Sequence, residues 1–331
     1  MTVKLSKTRQ FIIDEFINCL KEDRIPWEKG WTSLSMMNAV SNHQYSGLNC
    51  LILKYMSQVR GYNDPRWLTF KQVADKGWKL KDAKRKGIPI EFWSPWDVQR
   101  KEKITMKEAE MLLKEDEDRV KFVCNCYYVF NAELVEGIEK FEYGKKLKTD
   151  IKHQIAEECI NKFLENEKIK LTHFGEEAFY APSEDRINIP LKEKFKSIDY
   201  YLSTLAHEVC HSTGHTNRLN RDMSGKFGSH DYAQEELKAE IGSALLNSEL
   251  GIEINQEMMN NHKAYIQSWI SIIEDKPNEL FKAIYSAEKI AEYITEKGDL
   301  EKVRESFSDF VEFFELYENE PEIMVEESLS L

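Results

Sequence analysis

Cysteine patterns that build disulfide scaffolds are missing from this chain. Its six cysteines, Cys19, Cys50, Cys124, Cys126, Cys159 and Cys210, are dispersed, with no C-x-x-C and only one close pair, Cys124 and Cys126. That points to reduced thiols in a cytosol. Long apolar runs are missing too, since no stretch approaches the roughly 20 residues that a membrane-spanning helix needs. The amphipathic run 11–20 carries Asp14 and Glu15, and no small-residue cleavage site follows it, so it does not read as a secretory signal. These absences predict a cytoplasmic protein with no membrane partner. No internal repeat is visible, and a length of 331 residues predicts two domains, each large enough to bury a core.

Charge is present but segregated. Residues 1–150 hold 27 Lys+Arg against 22 Asp+Glu, whereas 151–331 hold 19 against 36, so the net charge of −12 divides into +5 and −17. Six of the seven tryptophans (Trp27, Trp31, Trp67, Trp78, Trp93 and Trp96) also fall in the first hundred residues. Cations that track phosphates, interleaved with rings that stack on unpaired bases, are what a single-stranded nucleic-acid platform requires. A small aromatic core with ordinary surface lysines would give the same composition.

The acidic half contains His207-Glu208-Val209-Cys210-His211, an H-E-x-x-H sequence inside an apolar-periodic run at 200–211. Two imidazoles four residues apart lie one turn above each other on a helix, so both can reach one Zn²⁺ while Glu208 projects beside them as a proton acceptor. Leu202, Leu205, Ala206, Val209 and Thr213 form the core-facing stripe, leaving Thr204, His207 and His211 on the adjoining face. Ser197 is the expected N-cap, Asp199 sits in the first turn, and Gly214 is expected to end the helix in a left-handed conformation. Cys210 points off the metal face.

Catalytic zinc keeps three protein ligands. The pattern H-E-x-x-H-x-x-G-x-x-H fails, because Asn217 stands where its third His belongs, and His215 lies beyond Gly214. The better candidate is Glu236, which forms an i, i+4 pair with Glu240 on a helical face shared with Ala233 and Ala244. Glu236 is then the expected ligand and Glu240 the partner of a zinc His. Glu235, three residues before Lys238, reads as one half of a solvated pair.

The spacing predicts helices at 8–20 and from 45 to about 59, strands at 88–93 and 122–130, and a charged, solvated insertion at about 97–121. The linker-like stretch 143–149 places a boundary after residue 145. Beyond it, a helix at 151–166, a strand at 169–174 and a hairpin at 178–189 precede the zinc helix, and helices follow at 232–250, 262–274, 278–297 and 300–316. The last fifteen residues are acidic. An edge strand beside a zinc helix can hold an extended peptide. The fold class is thus α+β, with a small mixed domain at 1–145 and a helix-rich domain at 146–331 that includes a short antiparallel sheet.

Several strings resemble a known family. Trp27-Glu-Lys-Gly-Trp31, Tyr45-Ser-Gly-Leu-Asn49, Pro65-Arg-Trp-Leu-Thr-Phe-Lys71 and Val129-Phe-Asn131 are similar to the N-terminal domain of ArdC-type antirestriction proteins of plasmids and other mobile elements. The stretch from Tyr200 through the H-E-x-x-H to Arg221, with Phe227-Gly-Ser229 and Tyr232 to Glu240, resembles that family's zincin-like metallopeptidase domain. The resemblance implies a protein that binds incoming single-stranded DNA and helps a mobile element escape restriction. It carries over His207 and His211 as ligands of Zn²⁺ and Glu208 as base, in a gluzincin-like site acting on an unknown protein or peptide. Candidate DNA contacts are Trp27, Lys29, Trp31, Tyr45, Asn49, Arg66, Trp67 and Lys71, with Lys84, Arg85 and Lys86 of the basic turn. Two alternatives stand beside this reading: a non-proteolytic DNA-protecting protein with a structural zinc, and a regulatory protease that cleaves a host repressor or restriction subunit.

Overall fold

The computed structural model describes residues 5–22, 24–26, 35–142, 148–226, 228–254 and 265–307. The first half contains α1 (Lys7–Lys21), β1 (Met37–Asn38), α2 (Gly47–Arg60), β2 (Arg66–Thr69), α3 (Phe70–Asp75), β3 (Lys79–Leu80), β4 (Ile88–Asp97), β5 (Glu102–Lys103), α4 (Met106–Glu115), β6 (Val120–Asn131) and β7 (Val135–Glu136). The second half follows with α5 (Thr149–Asn166), β8 (Lys170–Thr172), β9 (Phe179–Ala181), β10 (Arg186–Asn188), α6 (Ile198–Ser212), α7 (His230–Leu250), α8 (Ile266–Asp275) and α9 (Asn278–Lys297). A further helical run covers 300–307. The architecture is α+β. No helix among the described residues is long and apolar enough to cross a membrane.

A five-stranded sheet, ordered β1-β2-β6-β4-β5, organises the first half. Its centre is the antiparallel β4–β6 pair, in register from Ile88 opposite Val129 to Asp97 opposite Val120. The segment 97–121, expected as a solvated insertion, is the folded tip of this pair. Thr105 and Glu108 cap the start of α4 reciprocally, and Ile104, Ala109, Leu112 and Val120 close a small apolar cluster beneath it. Most of its charges lie on the outside of a packed corner, while Asp97 is buried and pairs with Arg100 and Arg119.

In the second half the three-stranded sheet runs β8-β10-β9. β9 pairs with β10 antiparallel, as the hairpin signal predicts, but β8 pairs with β10 in parallel. The sheet is therefore mixed rather than antiparallel throughout, because the chain crosses over between 172 and 186 by way of β9.

Two large apolar clusters hold the molecule. One gathers Ile155, Cys159 and Phe163 of α5 with Leu202, Leu205 and Val209 of α6 and Ile290 and Ile294 of α9. The other joins Ile12 and Phe16 of α1, Leu51 and Ile52 of α2, and Trp67 of β2 to Leu237, Ile241 and Ala244 of α7 and Trp269 of α8. Helix α7 also lends Ala239, Leu246 and Leu250 to the first cluster. It is therefore buried on opposite faces, and apolar contact runs from the N-terminal sheet to the helix that carries Glu236 and Glu240.

Candidate metal centre and nucleic-acid interface

Helix α6 begins where its sequence signals it. Ser197 Oγ accepts the backbone N–H of Tyr200, and Asp199 sits in the first turn. Its other end departs from expectation. Thr213 closes the helix in an ordinary right-handed conformation, and Gly214 is absent from the positive-φ glycines. Gly214 is needed for space instead: a Cβ there would meet Met223 Sδ at 2.5 Å and the His211 carbonyl oxygen at 3.1 Å.

The facing surfaces of α6 and α7 bring His207, His211 and Glu236 together, with one donor atom from each lying within 4.8 Å of the others. The two Nε2 atoms are 3.0 Å apart. Glu236 Oε2 is 3.7 Å from His207 Nε2, and its Oε1 is 3.5 Å from His211 Nε2. The opposite nitrogens face carboxylates as well: Glu240 Oε1 lies 3.2 Å from His207 Nδ1, and Glu235 Oε1 lies 3.6 Å from His211 Nδ1. Partners of this kind fix the orientation and tautomer of a ligating imidazole. Two imidazole nitrogens and one carboxylate form a donor set that suits Zn²⁺.

Glu235 corrects its sequence reading. It does reach Lys238, at 3.6 Å, but it is only 5% exposed and pairs with the buried Arg221, whose Nη2 lies 2.6 Å from Oε1. Arg221 also donates to Thr213 Oγ1 and to the Cys210 carbonyl, so it clamps the end of α6 onto α7. Burial alone would raise the Glu235 carboxyl, yet hydrogen bonds from His211 and Arg221 bring it to about 2. Burial likewise opposes a proton on His211, but Glu235, Glu236 and Glu208 push it up to about 9. Burial drives the Cys210 thiol far upward, as befits a packing residue.

These groups line a cleft of 690 Å³ with Glu208 among them. Its wall includes Phe179 and Tyr180 of the edge strand β9. Tyr232 and Tyr265 also line it. Burial, a hydrogen bond with Tyr265 and the charge of Glu236 raise the Tyr232 hydroxyl, which therefore keeps its proton. Neither Arg221 nor the tyrosines were singled out from the sequence. Arg221 lies 14 residues from its partner, and a tyrosine at the start of a helix carries no distinguishing pattern.

The expected DNA contacts scatter. Trp27, Lys29 and Trp31 lie outside the described residues. Trp67 is 0% exposed and belongs to the core, so its ring is not available to a base. Asn49 is committed to the Glu91 backbone, donating to its carbonyl at 2.7 Å and accepting its N–H at 2.9 Å. Arg66 pairs with Asp64 at 2.7 Å, and the half-buried Tyr45 accepts from Asn38. Lys71, Lys84 and Arg85 are exposed, and Lys86 is half-buried.

The structure draws attention to other rings. The β4–β6 register places Phe92, Trp96, Tyr127 and Lys121 on one sheet face. Phe92 is 50%, Trp96 38% and Tyr127 47% exposed. Phe92 and Tyr127 meet edge to face at 6.4 Å, and Lys103 Nζ stands 5.2 Å from the Phe92 ring centre. The cluster beneath α4 uses Val120, which the same alternation puts on the opposite face, so the acidic α4 packs away from these rings.

An H-E-x-x-H helix packed on a glutamate-bearing helix, beside a short three-stranded sheet, defines a zincin-like protein with an α+β unit in front of it. Residues 158–286 match the family described as zincin-like metallopeptidase, and residues 6–130 match the N-terminal domain of anti-restriction factor ArdC. The crystal structure of the antirestriction ArdC protein from R388 plasmid in its metal-free form is similar with a TM-score of 0.68 and 25% identity, over 89% of this chain and 98% of that one. Its Mn(II)-bound structure gives 0.65 and 24%, over 88% and 98%. A DNA primase TraC of Escherichia coli is 34% identical over 302 residues, which cover 86% of this chain and 20% of that protein. An uncharacterized protein, y4eC, of Sinorhizobium fredii is 29% identical over 82% of this chain and 84% of its own length. The chain thus spans about a fifth of the TraC primase it matches. Its sequence carries, in this order, a domain of the ArdC N-terminal type and a zincin-like metallopeptidase domain.

Proposed function

We propose that this protein binds single-stranded DNA through residues 1–145 and hydrolyses peptide bonds in a Zn²⁺-dependent site in residues 146–331, acting in the cytoplasm for a mobile element that evades restriction. The observation that carries the hydrolytic part is the convergence of His207, His211 and Glu236 with Glu208 in one cleft. His207, His211 and Glu236 would hold the metal. When bound, the ion would act as a Lewis acid toward a peptide carbonyl and lower the pKa of water. Glu208 takes the proton from the attacking water and returns it to the leaving amine. The Tyr232 hydroxyl, kept protonated, is a donor for negative charge that develops on the substrate. An extended peptide would add to β9, the edge strand among the described residues, through main-chain hydrogen bonds.

The DNA-binding part is supported by the exposed Phe92, Trp96 and Tyr127 with Lys103 and Lys121 beside them, since ring stacking and nearby cations suit unpaired bases and their phosphates. The acidic second half would repel the same ligand. Metal analysis of the purified protein beside Glu236→Ala tests the site, and comparing Zn²⁺ with Mn²⁺ identifies the ion, because imidazole and carboxylate ligands accept both. Glu208→Gln is expected to keep the metal while peptide hydrolysis falls by at least about 10²-fold. Unimpaired antirestriction by that variant would favour a DNA-protecting protein whose zinc is structural.

A further inference from the structure

A second cavity, of 350 Å³, opens on the opposite face of the β4–β6 pair. Its apolar walls come from Phe11, Pro89, Tyr128 and Phe130, and Lys7 and Arg85 stand at it. The register explains the grouping: Pro89 lies opposite Tyr128, and alternation along β6 turns Phe130 to the same side. Gly87 lets the rings lie against the backbone, because a Cβ there would meet Phe130 Cζ at 3.1 Å and Tyr128 Cδ1 at 3.4 Å.

Three features select the ligand. The lining contains no Asp or Glu. Lys7 and Arg85 are both exposed, and neither makes an ion pair or hydrogen bond through its side chain among the described residues, so two cations stand ready without an anion. The acidic tip around α4 is remote, since Val120 and Tyr128 are eight residues apart on one strand, roughly 26 Å. The volume lies within the range of about 300–1,000 Å³ typical of small-molecule sites. An apolar recess walled by aromatic rings, with two cations at it, matches a planar ring joined to a phosphate.

We infer that this cavity receives one nucleotide of a single-stranded DNA, its base against Tyr128 and Phe130 and its phosphate at Lys7 and Arg85. The inference rests on the reading that the N-terminal half binds single-stranded DNA. It adds a discrete nucleotide site on the face opposite Phe92, Trp96 and Tyr127, so a strand engaging both would pass around the edge of the hairpin rather than lie on one face. Base stacking on an aromatic ring and cation contact with phosphate each carry enough affinity to be read separately.

The test uses the full chain and a fluorescein-labelled oligothymidylate, followed by anisotropy. Arg85→Glu and Tyr128→Ala, both at exposed positions, should each weaken binding about tenfold. Deoxythymidine monophosphate should displace the oligonucleotide at lower concentration than thymidine or inorganic phosphate does. Wild-type affinity in both variants overturns the nucleotide site and leaves the DNA-binding reading standing. Equal displacement by inorganic phosphate and by the mononucleotide overturns the base recess. Absence of oligonucleotide binding by the unsubstituted chain overturns both.

Discussion

Arg221 holds together a region crowded with negative charge. Glu208, Glu235, Glu236 and Glu240 surround two histidines, and the guanidinium neutralises the one that would otherwise compete least usefully for His211. Replacing Arg221 with Ala leaves Glu235 buried without its guanidinium partner, at a cost on the order of 3 kcal/mol. Metal affinity should fall about 10–100-fold as His211 loses its orientation. Chelator competition and urea unfolding read the two effects, and unchanged affinity would refute the clamp. Arg218 acts similarly on the cleft wall. It donates to Asp185 at the β9–β10 turn and to the Ser212 carbonyl at the end of α6. Burial would raise the Asp185 carboxyl, but hydrogen bonds from Arg218 and Tyr180 hold it below its ordinary 3.8. A depressed carboxylate stabilises the fold at pH above its unfolded value and loses that contribution as pH falls through the folded one. Asp185→Asn should therefore be less stable than the parent at pH 7, with the difference shrinking as the pH falls through the depressed folded-state value, by urea unfolding at each pH.

At the scale of elements, α7 is the member that the rest depends on. It presents Glu235, Glu236 and Glu240 to α6 and apolar residues to both clusters. Trp269 of α8 packs fully buried against it and donates its indole N–H to the Ala233 carbonyl at 3.1 Å. Trp269→Ala should cost about 3–5 kcal/mol through the cavity it leaves. Its urea midpoint should drop accordingly, and a shift within error would show that α8 is not part of the cooperative core. What could be read from sequence follows from range. Helix α6 was legible because its N-cap and the i, i+4 spacing of its histidines are local, and Glu236 and Glu240 share that spacing. Glu235 was not, since α7 is buried on opposite faces and carries no clean stripe that separates solvent from interior. Strand register decides the tryptophans: Trp67 and Trp96 look alike in composition, yet pairing buries one and exposes the other. The parallel β8–β10 pairing and the folded tip at 97–121 likewise depend on contacts that no short window contains.

For the whole molecule, one apolar cluster joins residues of the two halves. Leu51 and Ile52 of α2 and Trp67 of β2 lie in one apolar body with Leu237 and Ile241 of α7, which alternate along that helix with Glu236 and Glu240. A metal bound between α6 and α7 stabilises the folded state by mass action, about 2.7 kcal/mol when free metal is 100 times its Kd. If the core is continuous, that gain cannot stay in the second half. Tryptophan fluorescence reports mainly on the first half, which holds six of the seven indoles in its first hundred residues. Far-UV circular dichroism weights the helices of the second half, α5 to α9. In urea, both signals should show one coincident transition, and Zn²⁺ should move both midpoints upward together. In Glu236→Ala neither should move at the same metal concentration. A fluorescence transition that ignores zinc while the dichroism shifts would mean that the halves unfold independently and that the apolar contact across α7 carries no cooperativity.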